Sequence, residues 1–107
     1  MDQQEAQRVI KRGRRTALLR NVISEFLQKN ANSTPIITVS FVQVNKSERT
    51  ATAYCTVFPE EKRETALKFL KRQEEACRSY IHKNTAMRNT PTIRFALAKQ
   101  VGLMAHY

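Results

Sequence analysis

The stretch that most limits the possible folds is TATAYCTVF, residues 50–58. Ala51, Ala53, Cys55 and Val57 fall on one parity, and Thr50, Thr52, Tyr54 and Thr56 on the other. Side chains alternate across a strand with period two, so this run is a strand with one apolar and one polar face. Such a strand needs a neighbour to pair with and a layer to cover its apolar side. The neighbour is PIITVSFVQV, residues 35–44, joined to it by the short polar segment NKSER. Its alternation slips: Ile37, Val39 and Phe41 share one parity, Val42 and Val44 the other. A bulge near Phe41 reconciles the two, and the pair reads as an antiparallel hairpin.

The covering layer comes from two helical patterns. Residues 8–27 predict a helix in which Leu18, Leu19, Val22, Ile23, Phe26 and Leu27 recur at three- and four-residue intervals. Ahead of that stripe lies RVIKRGRR, with Gly13 costing about 1 kcal/mol of helix relative to alanine. Residues 1–7 are polar and are expected to be flexible. KNANSTP is a loop closed by Pro35. A second helix is expected from about Pro59, because proline suits a first helical position and Glu60 and Glu61 suit the positive end of the dipole. Ala66, Leu67, Leu70, Cys77, Tyr80 and Ile81 form its buried stripe, with Glu64–Lys68 and Glu74–Arg78 as four-residue pairs. The pattern fades after Ile81, and Pro91 ends any helix by Thr90. TIRFALA then alternates, with Ile93, Phe95 and Leu97 inward and Thr92, Arg94 and Ala96 outward. The order is helix, strand, strand, helix, room for a second short helix, strand. That is an α+β two-layer domain, a three-stranded sheet covered by helices on one face. The tail from 99 to 107 carries no pattern and is expected to be flexible.

With 107 residues the chain forms one domain, 1–107. Nineteen cations face nine anions, leaving a net charge of +10. Ten unbalanced charges oppose folding unless a polyanion neutralises them, so nucleic acid is the expected partner. A membrane fits less well: no run approaches the ~20 apolar residues of a span, and no long helix is both basic and strongly apolar. The acidic residues are scattered, His82 and His106 stand apart from the cysteines, and Gly13 and Gly102 are the only glycines. These features predict no enzyme, no metal and no cofactor. Cys55 and Cys77 read as reduced core residues of a cytoplasmic protein; two cysteines allow a disulfide by arithmetic, but no export signal accompanies them. Lys62, Arg63, Lys68, Lys71 and Arg72 include residues of an ordinary solvated helix face. The five phenylalanines are expected in the core or in edge packing. Tyr54 and Tyr80 are able to stack on a base, with amphipathic edge packing the favoured reading.

Two segments resemble a known family. VSFVQVNKSERTATAYCTVF is similar to the hairpin of bacterial ribosome-binding factor A, and CRSYIHKNTAMRNTPTIRF to that family's segment leading into its last strand. The spacing from Arg78-Ser79 to Pro91 and Phe95 fits, as does Arg8-Val9 before a long amphipathic helix. The likeness covers about residues 8–98. It implies a type II KH-like domain, α-β-β-α-α-β, which agrees with the order read from the residues. It also implies a factor, monomeric when free, that binds the small (30S) ribosomal subunit late in assembly. Such a factor helps the small-subunit (16S) ribosomal RNA and its 5′ end mature and matters most in the cold. The family's glycine-containing kink would fall at Gln73-Glu74-Glu75, where this chain has no glycine; either the kink sits at residues 75–77 or the helix runs on. Thr92 stands where the family often has glutamate, and the family's C-terminal segment is reduced to VGLMAHY.

In such a fold the expected RNA-contacting bases are Lys83, Arg88 and Arg94 on the edge leading into the last strand. Lys71, Arg72 and Arg78 join them from the preceding helix, and Lys11, Arg12, Arg14 and Arg15 form a second clamp near the N-terminus. These charges would position phosphates without reading bases. A general RNA-binding module and a structural ribosomal component are the alternative functions.

Overall fold

The computed structural model describes the backbone of residues 3–30 and 35–98 and the side chains of residues 13–29 and 35–98. Helix α1 spans Gln3–Asn30, β1 Ile36–Val44, β2 Thr50–Phe58, α2 Arg63–Asn84 and β3 Thr92–Leu97, with a single 3-10 turn, Glu60–Lys62, ahead of α2. The sheet order is β1-β2-β3. β1 and β2 are antiparallel and β2 and β3 parallel. Both helices lie on one face. Leu19, Ile23, Phe26 and Leu27 of α1 and Leu70, Cys77 and Ile81 of α2 share a core with Val39, Val42, Ala51, Ala53, Cys55, Ile93 and Phe95 of the sheet. Among the described residues no helix is long and apolar enough to cross a membrane.

The two long strands follow their sequence parity. Ala51, Ala53, Cys55 and Val57 are all buried. The register of β1 shifts between Val39 and Phe41, so Ser40 is the extra residue of a bulge. That extra residue turns Val42 into the core and Phe41 out of it. Phe41, through the bulge, and Phe58, through its parity in β2, are exposed on the uncovered face, whereas Phe26 and Phe95 are core residues.

Three boundaries differ from the sequence expectation. α1 begins at Gln3 and so includes residues 3–7, which were expected to fray; residues 1, 2 and 99–107 lie outside the described residues. α2 starts at Arg63, after the 3-10 turn. It then runs uninterrupted through residues 73–75, which are good helix formers, and residues 85–91 form a loop in place of a second helix. Asn84 and Thr85 stop α2 by satisfying its last carbonyls: Asn84 Nδ2 donates to Tyr80 O at 2.8 Å and Thr85 Oγ1 to Ile81 O at 2.8 Å.

Glu74 closes the outer edge of the sheet. It was expected to pair with Arg78, but its carboxylate accepts the Phe95 backbone N–H at 2.9 Å and sits 3.5 Å from both Lys71 Nζ and Arg94 Nη1. An unpaired edge-strand donor is thereby satisfied.

Cys55 and Cys77 are free and buried. Burial pushes both thiols up to about 12, the charge of Cys55 adding to the effect at Cys77. The reactive thiolate is then about a thousandfold scarcer than in an ordinary thiol near pH 8. Both cysteines should resist iodoacetamide in the native state and react fully in denaturant. Native alkylation that proceeds at the free-thiol rate would contradict the assigned burial.

Candidate nucleic-acid interface

One end of the domain gathers three loops or helix ends. The parallel register sets Thr92 of β3 beside Thr50 of β2, and Thr92 N–H donates to Arg49 O at 2.8 Å. The start of β3 therefore lies against the 45–49 hairpin loop. Asn45 holds that loop: its Oδ1 accepts from Arg49 N at 2.9 Å and Thr50 N at 3.1 Å, and its carbonyl accepts from Glu48 N at 2.9 Å. Glu48 takes the left-handed conformation there, with φ 59°.

The 85–91 loop is anchored at several points. Thr85 Oγ1 accepts from Met87 N–H at 3.2 Å, Met87 packs partly buried against the core, and Pro91 is buried. From α1, Arg15 Nη2 donates to Asn89 O at 2.9 Å while Nη1 lies 3.6 Å from Glu48 Oε2. Arg15 thus ties the long helix to both loops, and a guanidinium suits this because its fork presents several donors at fixed angles. Its Nε is buried with no hydrogen-bond partner.

Three adjoining depressions of about 440, 460 and 470 Å³ surround this end. The first is lined by Arg78, His82, Lys83 and Arg88, the second by Arg15, Arg49 and Arg78, and the third by Arg14, Arg15, Leu18 and Arg88. Among the described residues the only acidic lining residue is Glu48, which is paired with Arg15. A phosphate here would meet cations on several sides, carried by α1, α2, the hairpin loop and the 85–91 loop.

The structure brings together Arg14, Arg15, Arg78, Lys83 and Arg88 of the expected set. It sets Lys71 and Arg94 apart from them, at the Glu74 edge, and Arg72 is exposed on α2. The side chains of Lys11 and Arg12 lie outside the described residues. Arg49 is a rim residue that sequence reasoning missed. The signal was its place in the hairpin loop, but only strand pairing shows which end of the domain that loop occupies. Tyr80 is no base platform. Its ring lies 5.5 Å from Phe26, and its hydroxyl donates to Glu25 and accepts from Lys29 Nζ at 3.0 Å, which joins α2 to α1. The Tyr80 hydrogen bond, with Lys29 beside it, holds the Glu25 carboxyl below its ordinary range. Among the described residues no group of acidic, histidine or cysteine side chains is placed to hold a metal ion.

The fold and this basic rim can be set against known proteins. The ribosome-binding factor A of Fervidobacterium nodosum is 35% identical over 83 residues, which cover 72% of this chain and 66% of that protein. The matched part thus spans just under two thirds of that relative's length. The crystal structure of ribosome-binding factor A from Thermus thermophilus superposes with a TM-score of 0.69 at 25% identity, over 79% of this chain and 92% of that one. A homology model of the Thermus thermophilus protein, fitted into a cryo-EM map of a 30S complex, superposes with a TM-score of 0.69 at 26% identity, over the same shares. The KH-like α+β arrangement is common to these structures and this chain. A family model described as ribosome-binding factor A matches residues 11–106, nearly the whole chain, and the chain belongs to the ribosome-binding factor A family.

Proposed function

We propose that the chain is a non-enzymatic assembly factor that docks on precursor small ribosomal subunits and favours one conformation of their RNA, promoting maturation of the 16S 5′ end. The observation that carries this reading is the rim at which Arg49, Arg78, Lys83 and Arg88 converge with Arg14 and Arg15. Family membership supports it, and so does the 30S complex of the Thermus thermophilus relative. Phosphate contacts of this kind fix position and register on a folded RNA, whose shape supplies the selectivity. The factor shifts the RNA only through a difference in affinity between its two conformations. Lys71, Arg72 and Arg94, with Lys11 and Arg12, extend the proposed contact beyond the rim.

Sedimentation of cell extracts tests this. The protein should travel with free small subunits and be depleted from translating ribosomes. Equal occupancy of both would identify a structural ribosomal component. Equally tight binding to unrelated RNA at physiological salt would identify a general RNA-binding module.

A further inference from the structure

The sheet face opposite the helices carries a second surface. The Ser40 bulge turns Phe41 onto this face, where it is 49% exposed and pairs in register with Tyr54 of the central strand. The two rings stack with centroids 4.6 Å apart and planes inclined by 17°. The next row on one side is Gln43, Thr52 and Arg94, one residue from each strand. Tyr54 Oη donates to Gln43 Oε1 at 3.4 Å, which links that row to the aromatic pair. On the other side come the Thr38–Thr56 row and then Ile36 and Phe58, 57% and 71% exposed.

Two features of this face select its occupant. Apolar and hydrogen-bonding rows alternate, so the face offers no continuous greasy strip for a protein helix. It offers an exposed stacked aromatic pair bordered by hydroxyl, amide and guanidinium groups. None of its strand positions is acidic, Arg94 stands at its edge with a 58% exposed side chain, and the whole chain carries +10. A base provides a π-face for the ring pair and polar edges for the neighbouring row, and its phosphate adds a second anionic partner for the exposed Arg94, whose guanidinium already has the Glu74 carboxylate at 3.5 Å.

We infer that the open sheet face, centred on Phe41 and Tyr54, binds single-stranded RNA, stacking a base on the aromatic pair with Gln43, Thr52 and Arg94 as its polar border. The surface is separate from the basic rim. The inference rests on the proposed RNA-binding function and adds a second site with a different chemistry: stacking on the sheet, phosphate contact at the rim.

The test measures binding of the full chain to a short unstructured RNA strand and to an RNA duplex, with Phe41→Ala, Tyr54→Ala, Tyr54→Phe and the rim variant Arg88→Ala. Phe41 is half exposed and lies on the face away from the core, so its truncation leaves the core intact. Phe41→Ala and Tyr54→Ala should each weaken single-strand binding about tenfold or more without changing its salt dependence, because stacking releases no counterions. Tyr54→Phe should retain most of the affinity, and duplex binding should not respond to any of the three. Unchanged single-strand affinity in both alanine variants overturns the inference. If Arg88→Ala still weakens RNA binding in that case, the rim reading stands and only the sheet site falls. Loss of self-association in the alanine variants, with RNA affinity intact, would instead assign the face to a second copy of the chain and equally overturn the inference.

Discussion

Cys55→Asp is expected to cost the fold about 3–5 kcal/mol at neutral pH, the scale of an unpaired buried charge. Cys55 is fully buried at the middle of the central strand, flanked in register by Val39 and Leu97. Every neighbouring core residue is apolar or a thiol, so an aspartate there has no cation to meet. A domain of this size has about 5–15 kcal/mol in total, so the loss removes a large part of it. The effect has a pH signature. Burial raises the carboxyl pKa in the folded state above its unfolded value of about 3.9. The folded variant therefore holds its proton more tightly than the unfolded chain. Its deficit is smallest below pH 4 and grows as pH rises toward the folded-state pKa. Urea denaturation of variant and parent at both ends of that range measures the difference. Cys55→Ser, which carries no charge, should lose much less and show no such dependence. A deficit under about 1 kcal/mol for the aspartate variant at pH 7 would mean that Cys55 does not face the core.

The sheet was legible in the sequence because a strand has a short period that few alternatives mimic. Thr50–Phe58 alternates without a fault, and the slip at Phe41 announced a bulge. The slip could not say which of Val39, Phe41 and Val42 would be expelled, because that depends on where the extra residue sits relative to the partner strand. The ends of the helices were less legible. Glu60–Lys62 has the composition of a helix start yet forms a 3-10 turn, and the polar run through residues 73–75 continues a helix as readily as it interrupts one.

The rim was half legible. Arg78, Lys83 and Arg88 stand close together in the chain, and a helix end leading through Pro91 into a strand keeps them close in space. Arg49 and Arg15 join them only through long-range geometry: parallel pairing of β2 with β3 carries the hairpin loop to the start of β3, and the passage of α1 across that end brings Arg15 to Asn89. Arg94 shows the converse. It lies near Arg88 in sequence, but alternation along β3 and the carboxylate of Glu74 draw it to the sheet edge. Proximity in sequence predicts a shared surface inside one element and fails at the junction between elements.

Arg78→Ala combined with Arg88→Ala should therefore have the largest effect on RNA affinity of any pair at the rim. Both residues line the same depression and both are exposed, so their removal leaves the core untouched. Each phosphate that the protein no longer neutralises lowers the slope of log affinity against log salt by about 0.7–0.9. Two such phosphates lower it by about 1.4–1.8, so the gap between parent and variant changes about tenfold from 50 to 200 mM salt. Lys71→Ala combined with Arg94→Ala provides the contrast. Those cations already neutralise Glu74, so their removal disturbs the α2–β3 edge and should lower the slope less than the rim pair does. Titrating purified small subunits at several salt concentrations gives both slopes. A full slope change for Lys71 and Arg94 with none for Arg78 and Arg88 would move the RNA contact from the loop-lined end to the Glu74 edge. The anchored loops would then serve the fold alone.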